Sequence, residues 1–243
     1  MTEAPAVTVT GLWKRFGRRD VFRGLDVAIA PGRVTAIVGP NAAGKTTLIK
    51  ALLGLVRPDR HSGPIEVGGA SVNGDPGYRE RVGYMPQFAQ FPAELSGREV
   101  LRFIQGLRNR SSDLDEELLL AFDLGAALDQ PVRTLSGGTR QKLNAIVAFL
   151  FRPALVILDE PTVGLDPVAA GILKDKIRAA AGAGTTIILT SHILSEVEEL
   201  ARDLIFVVEG EVRFAGPLRE LLVRTGEARL ERAVARLLLE DRR

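Results

Sequence analysis

The stretch "AIVGPNAAGKTTLIK", residues 36–50, decides the fold class of this sequence. A short apolar run ends at Gly39, four residues follow, and Gly44-Lys45-Thr46 opens a segment whose apolar residues recur at helical spacing. A Gly-x4-Gly-Lys-Thr pattern between a strand and a helix is the arrangement that holds phosphate groups in many proteins. The sequence therefore predicts an α/β fold with a phosphate-binding loop at the end of a buried strand.

Each residue type in this loop has a physical reason to be there. Small residues let several backbone N–H groups converge on phosphate oxygens, and the following helix adds the positive end of its dipole. Lys45 would reach the β- and γ-phosphates of a nucleotide, and the hydroxyl of Thr46 would bind Mg²⁺. The residues expected to hold the nucleotide are Gly39, Pro40, Asn41, Ala42, Ala43, Gly44, Lys45, Thr46 and Thr47.

The composition restricts what else the chain does. Its 243 residues include no cysteine, which excludes disulfides and thiolate metal sites and favours a reducing cytoplasm. A net charge of +2 and 5% aromatic residues do not provide the basic, stacking surface that nucleic acids need. No signal peptide is evident, and the longest apolar run, "AIVAFLF" at 145–151, is far below the roughly 18 residues that cross a membrane. We therefore expect a soluble chain that binds no nucleic acid.

Apolar runs along the chain predict the strands of a parallel sheet. "ALVILDE" (154–160) and "TTIILTSH" (185–192) are continuous apolar runs with a helical stretch between them, which is typical of parallel strands covered on both faces. Before the phosphate loop the pattern predicts three short β segments, and "SGPIEVGGASV" (62–72) has the glycines of a hairpin. A further short strand, in "RVGYMPQ", is stopped by Pro86.

Helical spacing dominates two other parts of the chain. Residues 88–150 carry apolar side chains three and four positions apart. The tail from residue 217 contains two short amphipathic helices interrupted at Gly226. We therefore expect a sheet core with a helical insertion and a helical tail.

Two adjacent acids follow a buried apolar run in "LVILDEPTVGLDP". Asp159 is placed to orient the water shell of Mg²⁺, and Glu160 is placed to polarise an attacking water. The structural alternative is a plain strand-end turn at Asp-Glu-Pro. Beside a phosphate loop, the two acids indicate nucleotide hydrolysis.

A second anion-binding segment is present in "TLSGGTRQKL", residues 134–143. Ser136, Gly137 and Gly138 open a helix, so its backbone N–H groups and the Ser136 hydroxyl form a second site for an anion. The chain already has one phosphate loop. A second phosphate-binding helix start is therefore useful if it serves the nucleotide bound by another copy of the chain.

Together these motifs resemble the nucleotide-binding subunits of ABC transporters over residues 7–216. The signature of that family precedes the Walker B aspartate, here by 23 residues from Ser136 to Asp159. The resemblance implies an α/β P-loop NTPase fold with a RecA-like parallel sheet core, an N-terminal antiparallel β subdomain and an inserted α-helical signature subdomain. It implies one ATPase domain over 1–243, divided into a core of about 1–87 and 151–216, a helical subdomain of about 88–150, and a tail of about 217–243.

The resemblance also assigns roles to single residues. Phe16 resembles the aromatic that stacks on adenine, and Gln87 resembles the glutamine that touches Mg²⁺ or the attacking water. His192 resembles the switch histidine that contacts the γ-phosphate, and Leu165-Asp166 resembles the loop that crosses the dimer interface. Structural alternatives are an exposed strand-end aromatic for Phe16 and a core histidine or metal ligand for His192.

The expected site therefore binds ATP and Mg²⁺ through three groups of residues. The catalytic group is Lys45, Gln87, Glu160 and His192. The metal ligands are Thr46, Gln87 and Asp159. Beyond the phosphate loop, ATP is expected to contact Phe16 and, from a second copy, Ser136, Gly137 and Gly138. The other histidine, His61, is expected in a solvated loop, and a transition-metal site is not expected.

Ala42 is the one departure from the family pattern in these motifs, because the family usually has Gly there. In related loops this position takes φ > 0, which costs a non-glycine residue roughly 1–2 kcal/mol. Binding the phosphates can offset that strain. We therefore expect slower or weaker nucleotide use, but not inactivity.

The resemblance implies the partners as well. They are a second copy in an ATP-sandwich homodimer and a polytopic membrane permease, which holds the chain at the inner face of the cell membrane and contacts it near 88–105. "LSGREVLRF", "SHILSEVEEL" and the tail look like the ATPase subunit of the copper-processing system that matures nitrous-oxide reductase. That subgroup adds a periplasmic accessory protein.

Other functions share part of this pattern. Drug, polysaccharide and sodium exporters of the ABC-2 type have most of it, and a soluble assembly ATPase without a permease has the same chemistry. The tail could equally be an amphipathic cap. A chromosome-maintenance ATPase is disfavoured, because only 89 residues separate Gly44 from Thr134 and they contain no sustained heptads.

Overall fold

The computed structural model describes residues 4–240 of the chain, with the side chains of 4–239. The outermost parts of the expected ATPase domain and tail, residues 1–3 and 241–243, lie outside the described residues. The strands are β1 Val7–Phe16, β2 Arg19–Ile29, β3 Val34–Val38, β4 Ile65–Val67, β5 Ala70–Ser71, β6 Val82–Met85, β7 Leu155–Asp159, β8 Thr186–Thr190, β9 Asp203–Val208 and β10 Glu211–Pro217. The helices are α1 Lys45–Leu52, α2 Gly97–Leu107, α3 Glu117–Ala121, α4 Gly137–Phe149, α5 Pro167–Gly182, α6 Leu194–Leu200, α7 Leu218–Thr225 and α8 Leu230–Glu240.

A six-stranded sheet forms the centre of the molecule, in the order β10-β9-β3-β8-β7-β6. Its strands pair in parallel except for β10, which is antiparallel to β9 at the edge. Every residue of β3, β7 and β8 is buried, as expected for parallel strands covered on both faces. The carboxyl ends of these strands meet at one edge of the sheet, where ligands bind in open α/β sheets.

A second, antiparallel sheet has the order β2-β1-β4-β5. In β1 the buried residues Val7, Val9 and Leu12 alternate with more exposed ones, and the pairing with β2 shifts register between Val9 and Leu12. The first two strands were expected to be short, but they contain 10 and 11 residues. Bulges let the paired ribbon continue past the point where the hydrophobic alternation in the sequence breaks.

Two hydrophobic clusters lie on opposite faces of the six-stranded sheet. One contains α1 and the buried face of the antiparallel sheet, around Leu48, Ile49 and Phe22. The other contains the remaining helices, including α4 through Ile146 and α8 through Leu237. The predicted α/β arrangement, with an antiparallel β layer and helices α2–α4 inserted between β6 and β7, is confirmed.

The C-terminal tail packs on the core as two helices, as predicted. Helix α7 ends at Gly226, which takes φ 67° as a left-handed cap. Helix α8 then buries Leu230, Ala233 and Leu237 in the larger cluster. The backbone N–H of Leu230 donates to Glu198 Oε2 at 3.2 Å, so the tail is anchored to α6.

The β9–β10 hairpin was not predicted. Its loop is the pair Glu209-Gly210, with φ of 51° and 80°. A two-residue loop with positive φ at both positions matches the twist of the strands that it joins. The apolar runs on either side of Glu-Gly were the available indication, and they extend the sheet with an antiparallel edge strand.

Candidate nucleotide site

The phosphate loop joins the end of β3 to the start of α1. Gly44 is the residue before the helix and has φ 106°, a conformation that strains any other residue. Ala42 has φ 64°, so the left-handed backbone expected at this position is present with an alanine in it. The Lys45 ammonium donates to the carbonyl oxygens of Gly39 at 2.7 Å and Pro40 at 3.0 Å. The Lys45 side chain thus links the end of the loop to its start through these two hydrogen bonds.

Two glycines of the loop are required by close packing. A Cβ on Gly39 would lie 2.0 Å from the carbonyl oxygen of Val207 in β9. A Cβ on Gly44 would lie 2.6 Å from a ring carbon of Phe22 in β2. The pattern Gly-x4-Gly therefore lets the loop lie directly against both sheets.

A cleft of about 660 Å³ opens beside this loop. It brings together most of the residues that the sequence predicted for the site, from the antiparallel sheet, the phosphate loop and the carboxyl ends of the central strands. Those residues are Phe16, Asn41, Ala42, Gly44, Lys45, Thr46, Thr47, Gln87, Asp159, Glu160 and His192. Arg19 and Val21, at the start of β2, also line the cleft and were not predicted.

Not every predicted residue faces the cleft. Gly39 contributes its carbonyl oxygen, which accepts a hydrogen bond from the Lys45 ammonium. Pro40 and Ala43 line a neighbouring cavity behind the loop. Among the described residues, the cleft lining does not include Ser136, Gly137 or Gly138. Phe16 is 49% exposed at the end of β1, with the Lys14 ammonium 5.0 Å from its ring centre.

The two acids at the end of β7 have different surroundings. Asp159 Oδ1 accepts a hydrogen bond of 2.5 Å from the Thr190 hydroxyl on the neighbouring strand β8. Glu160, with φ 53°, accepts from the Nδ1 of His192 at 2.7 Å and from the backbone N–H of His192 at 3.2 Å. Because Asp159 and Thr190 are paired in register, the sheet itself fixes the aspartate. Thr190 was missed, since a threonine in an apolar run carries no sequence motif.

Electrostatics in the cleft follow from partial burial. Burial lowers the pKa of Lys45, and the negative charges of Glu160 and Asp159 partly oppose that shift. Burial and the charge of Asp159 raise the pKa of Tyr84, on β6, to about 12. A tyrosine is already a neutral phenol at neutral pH, and the upward shift keeps Tyr84 neutral in moderately alkaline solution as well, so it adds no negative charge near the acids.

The oxygen donors in the cleft fit Mg²⁺. The Thr46 hydroxyl, the Gln87 amide oxygen and the Asp159 carboxylate all line the same cavity. Mg²⁺ prefers hard oxygen ligands and usually takes only one or two carboxylates, with water and substrate phosphates completing its shell. Among the side chains that the structure describes, those of residues 4–239, no cluster of three or more His, Cys, Asp or Glu is arranged to hold a metal.

The signature segment forms the start of α4. Ser136 caps this helix, accepting from the backbone N–H of Thr139 at 3.1 Å, and both Ser136 and Gly137 are exposed. Gly137 lines a separate cavity of about 460 Å³, which also contains Gly164 and Gln87. Gln87 thus lies between the two cavities.

Helix α4 is also connected to the segment that carries Gln87. The Asn144 side-chain N–H donates to the Pro86 carbonyl at 2.7 Å, and it donates to Gln141 Oε1 at 3.3 Å. Asn144 is 2% exposed, so this contact is buried. Sequence analysis missed it, because a single asparagine within a helical pattern gives no sign of its partner.

Comparisons with known proteins agree with this geometry. The ABC transporter family profile matches residues 22–163. The chain is 38% identical over 231 residues to the daunorubicin resistance ATP-binding protein DrrA3 of Streptomyces coeruleorubidus, covering 93% of this chain and 72% of that protein. It is 34% identical over 226 residues to the Nod factor export ATP-binding protein I of Ralstonia nicotianae, covering 90% and 69%.

Solved structures give the same result. The chain matches a structure described as the ATP-binding subunit of an ABC transporter with a TM-score of 0.88 and 29% identity, over 96% of this chain and 99% of that one. The P-loop NTPase fold that the motifs implied is therefore confirmed. Within residues 4–240, no helix combines the length and the apolar character needed to span a bilayer. The chain belongs to the ATP-binding subunits of ABC transporters, and it is an ATPase.

Proposed function

We propose that the chain powers a membrane transporter by ATP-driven pairing of two copies. The observation that carries this proposal is the division of the site. The cleft holds the phosphate loop together with Glu160 and His192, whereas Ser136 and Gly137 are exposed and lie outside it. Each ATP would then bind between the phosphate loop of one copy and the signature helix of the other.

The roles of single residues in hydrolysis follow from their positions. Lys45 neutralises the β- and γ-phosphates after its ammonium exchanges the loop carbonyls for phosphate oxygens. Glu160 polarises the attacking water, because the His192 backbone N–H holds its carboxylate at the carboxyl end of β7. The Nδ1–H of His192 donates to the Glu160 carboxylate and orients it, and His192 lines the cleft together with Lys45, where its ring would contact the γ-phosphate. Thr46, Gln87 and Asp159 would hold Mg²⁺, which when bound supplies charge neutralisation at the β- and γ-phosphates.

The pairing of two copies has a direct test. Glu160→Gln should bind ATP but not hydrolyse it, and should elute as a dimer only when ATP is present. Adding Ser136→Arg should abolish that dimer, because Ser136 is exposed at the start of α4. The control is Ser112→Arg, an exposed residue that lines neither the cleft nor the cavity beside Gly137. Light scattering that shows a monomer for Glu160→Gln with and without ATP would contradict the proposal.

The permease would dock beside α2. An apolar groove of about 270 Å³ is lined by Leu55, Ile104 and Phe151 among others. Nearby in sequence, Phe103 on α2 is 52% exposed and Leu107 is 70% exposed. Large exposed apolar side chains that neighbour one another mark a surface for a partner. This groove lies beside the segment near 88–105 that was expected to contact the permease. We also propose that residues of about 88–150 form a helical subdomain separate from the nucleotide-binding core.

An exporter is the transporter that the relatives support. The names of the two relatives given above refer to daunorubicin resistance and to Nod factor export. The copper-processing system for nitrous-oxide reductase, with its periplasmic accessory protein, stays a prediction from the quoted sequence stretches alone. A pull-down of the tagged chain from native membranes in mild detergent separates these possibilities. A permease without copper-handling companions supports the exporter, a periplasmic copper protein supports the copper system, and soluble partners alone contradict both.

A further inference from the structure

Arg19 contacts the one atypical residue of the phosphate loop. Its Nη2 donates to the carbonyl oxygen of Ala42 at 3.1 Å. Arg19 is the first residue of β2, and Ala42 is 23 positions further along the chain. The contact therefore joins the antiparallel sheet to the phosphate loop across the rim of the cleft, and both residues line that cleft.

Ala42 needs support in the conformation that it adopts. With φ 64° its Cβ is crowded against its own backbone, which favours escape to ordinary φ values when no phosphate is bound. Such an escape would rotate the adjoining peptide groups and redirect the Ala42 carbonyl. A charged donor held at that carbonyl opposes the rotation, since hydrogen bonds to charged groups are stronger than neutral ones.

The arginine is available for this contact. Its neighbour Asp20 pairs with two other arginines, Arg15 at 3.4 Å and Arg23 at 3.3 Å. Among residues 4–239, whose side chains the structure describes, no carboxylate forms an ion pair with Arg19. The guanidinium is thus directed at the loop carbonyl and not at an acid.

We propose that Arg19 is a positioning residue that holds Ala42 in its left-handed conformation and so keeps the phosphate loop ready for the triphosphate of ATP. This inference rests on the proposed binding of ATP in the cleft. Arg19 acts through the loop, so its loss affects nucleotide affinity. It leaves the hydrolysis step to Glu160 and His192.

A double-mutant cycle with Ala42→Gly tests the proposal. Arg19→Ala should weaken MgATP binding by about five- to tenfold, and raise KM by a similar factor with little change in kcat. In the Ala42→Gly background, where the left-handed conformation carries no Cβ penalty, the same change should cost at most about twofold. Arg19→Lys keeps a charged donor on a shorter, flexible side chain and should recover part of the affinity that Arg19→Ala loses.

Controls separate this role from others. Arg18→Ala removes an adjacent exposed arginine that does not line the cleft, and should leave MgATP affinity unchanged. The melting temperature of Arg19→Ala should match that of the wild type. An equal loss of affinity with Ala or Gly at position 42 would overturn the proposal, and so would no loss at all. Failure of the wild-type chain to bind MgATP would instead overturn the proposed function.

Discussion

Glu160 and His192 form a closed pair at the carboxyl ends of two neighbouring strands. One carboxylate oxygen of Glu160 accepts both the Nδ1–H of the His192 ring, at 2.7 Å, and the His192 backbone N–H, at 3.2 Å. The Glu160 N–H in turn donates to the carbonyl oxygen of Thr190 on β8, at 3.1 Å. Strand pairing therefore sets the distance between acid and histidine, while the histidine side chain itself stays 64% exposed.

His192→Ala should reduce ATP hydrolysis by about a hundredfold or more, because the Glu160 carboxylate that polarises the attacking water loses the ring that orients it. The measurement is phosphate release at saturating MgATP. The chain offers a matched control in His61, its other histidine, which is exposed in a loop and does not line the cleft. If His61→Ala and His192→Ala lost the same amount of ATP hydrolysis, the loss could not be attributed to the Glu160–His192 pair.

Ala42→Gly should tighten MgATP binding by up to about tenfold or leave it unchanged. The change removes a left-handed alanine, a strain of roughly 1–2 kcal/mol, and part of that strain is already offset by Arg19. Isothermal titration calorimetry of the two proteins provides the comparison. Clear weakening in the glycine variant would mean that the Ala42 methyl group makes a favourable contact with the nucleotide.

Gly39→Ala should weaken MgATP binding by at least tenfold. The added Cβ would lie 2.0 Å from the Val207 carbonyl oxygen, so the loop must move away from β9, and the Gly39 carbonyl that Lys45 uses moves with it. Gly171→Ala, in α5, is the matched glycine change, because a Cβ there meets no atom within 4 Å and the residue does not line the cleft. Gly171→Ala should bind MgATP like the wild type. A similar loss in both variants would rule out the packing explanation.

The strands and the phosphate loop were predictable because their information is local. The buried runs that became β7 and β8 are continuous in sequence, and Gly44-Lys45-Thr46 fixes a strand–loop–helix turn by its own residue types. The positive φ of Ala42 followed from its place in that pattern.

The contacts that complete the site were not predictable, because they join distant segments. Thr190 reaches Asp159 only after two strands pair, and Asn144 reaches Pro86 only after α4 packs against the end of β6. Arg19 contacts Ala42 only when the antiparallel sheet lies beside the loop. In each case the residue type is ordinary for its local element, and only the tertiary structure gives it a partner.

Phe16→Ala should weaken ATP binding by about fivefold, whereas the affinity for inorganic triphosphate should not change. A half-exposed ring at the edge of the cleft is suited to stack on a base, and such stacking contributes about 1–3 kcal/mol. Phe16→Trp should restore the affinity. Phe88→Ala removes another exposed aromatic, 71% exposed and outside the cleft, and serves as the control. Equal effects on ATP and triphosphate would exclude stacking.

Lys176→Met should lower the free energy of unfolding by about 3 kcal/mol. Lys176, on α5, is 7% exposed, and its ammonium lies 2.6 Å from Asp115 Oδ2 and 2.6 Å from Glu117 Oε2. Methionine keeps the length of the side chain but leaves the largely buried Asp115 carboxylate unpaired, and an unpaired buried charge is more costly than the pair that it replaces.

The control for this change is Arg178→Met, two residues later on the same helix. Arg178 is 44% exposed and pairs with Asp175 and Glu199, which are 79% and 41% exposed, so its loss should cost at most about 1 kcal/mol. Urea unfolding followed by circular dichroism gives both values. Because Asp115 and Glu117 belong to the inserted helical region and Lys176 to the core, a large loss confined to Lys176→Met would identify this ion cluster as the link between them. Equal, small losses would show that apolar packing alone joins the two parts.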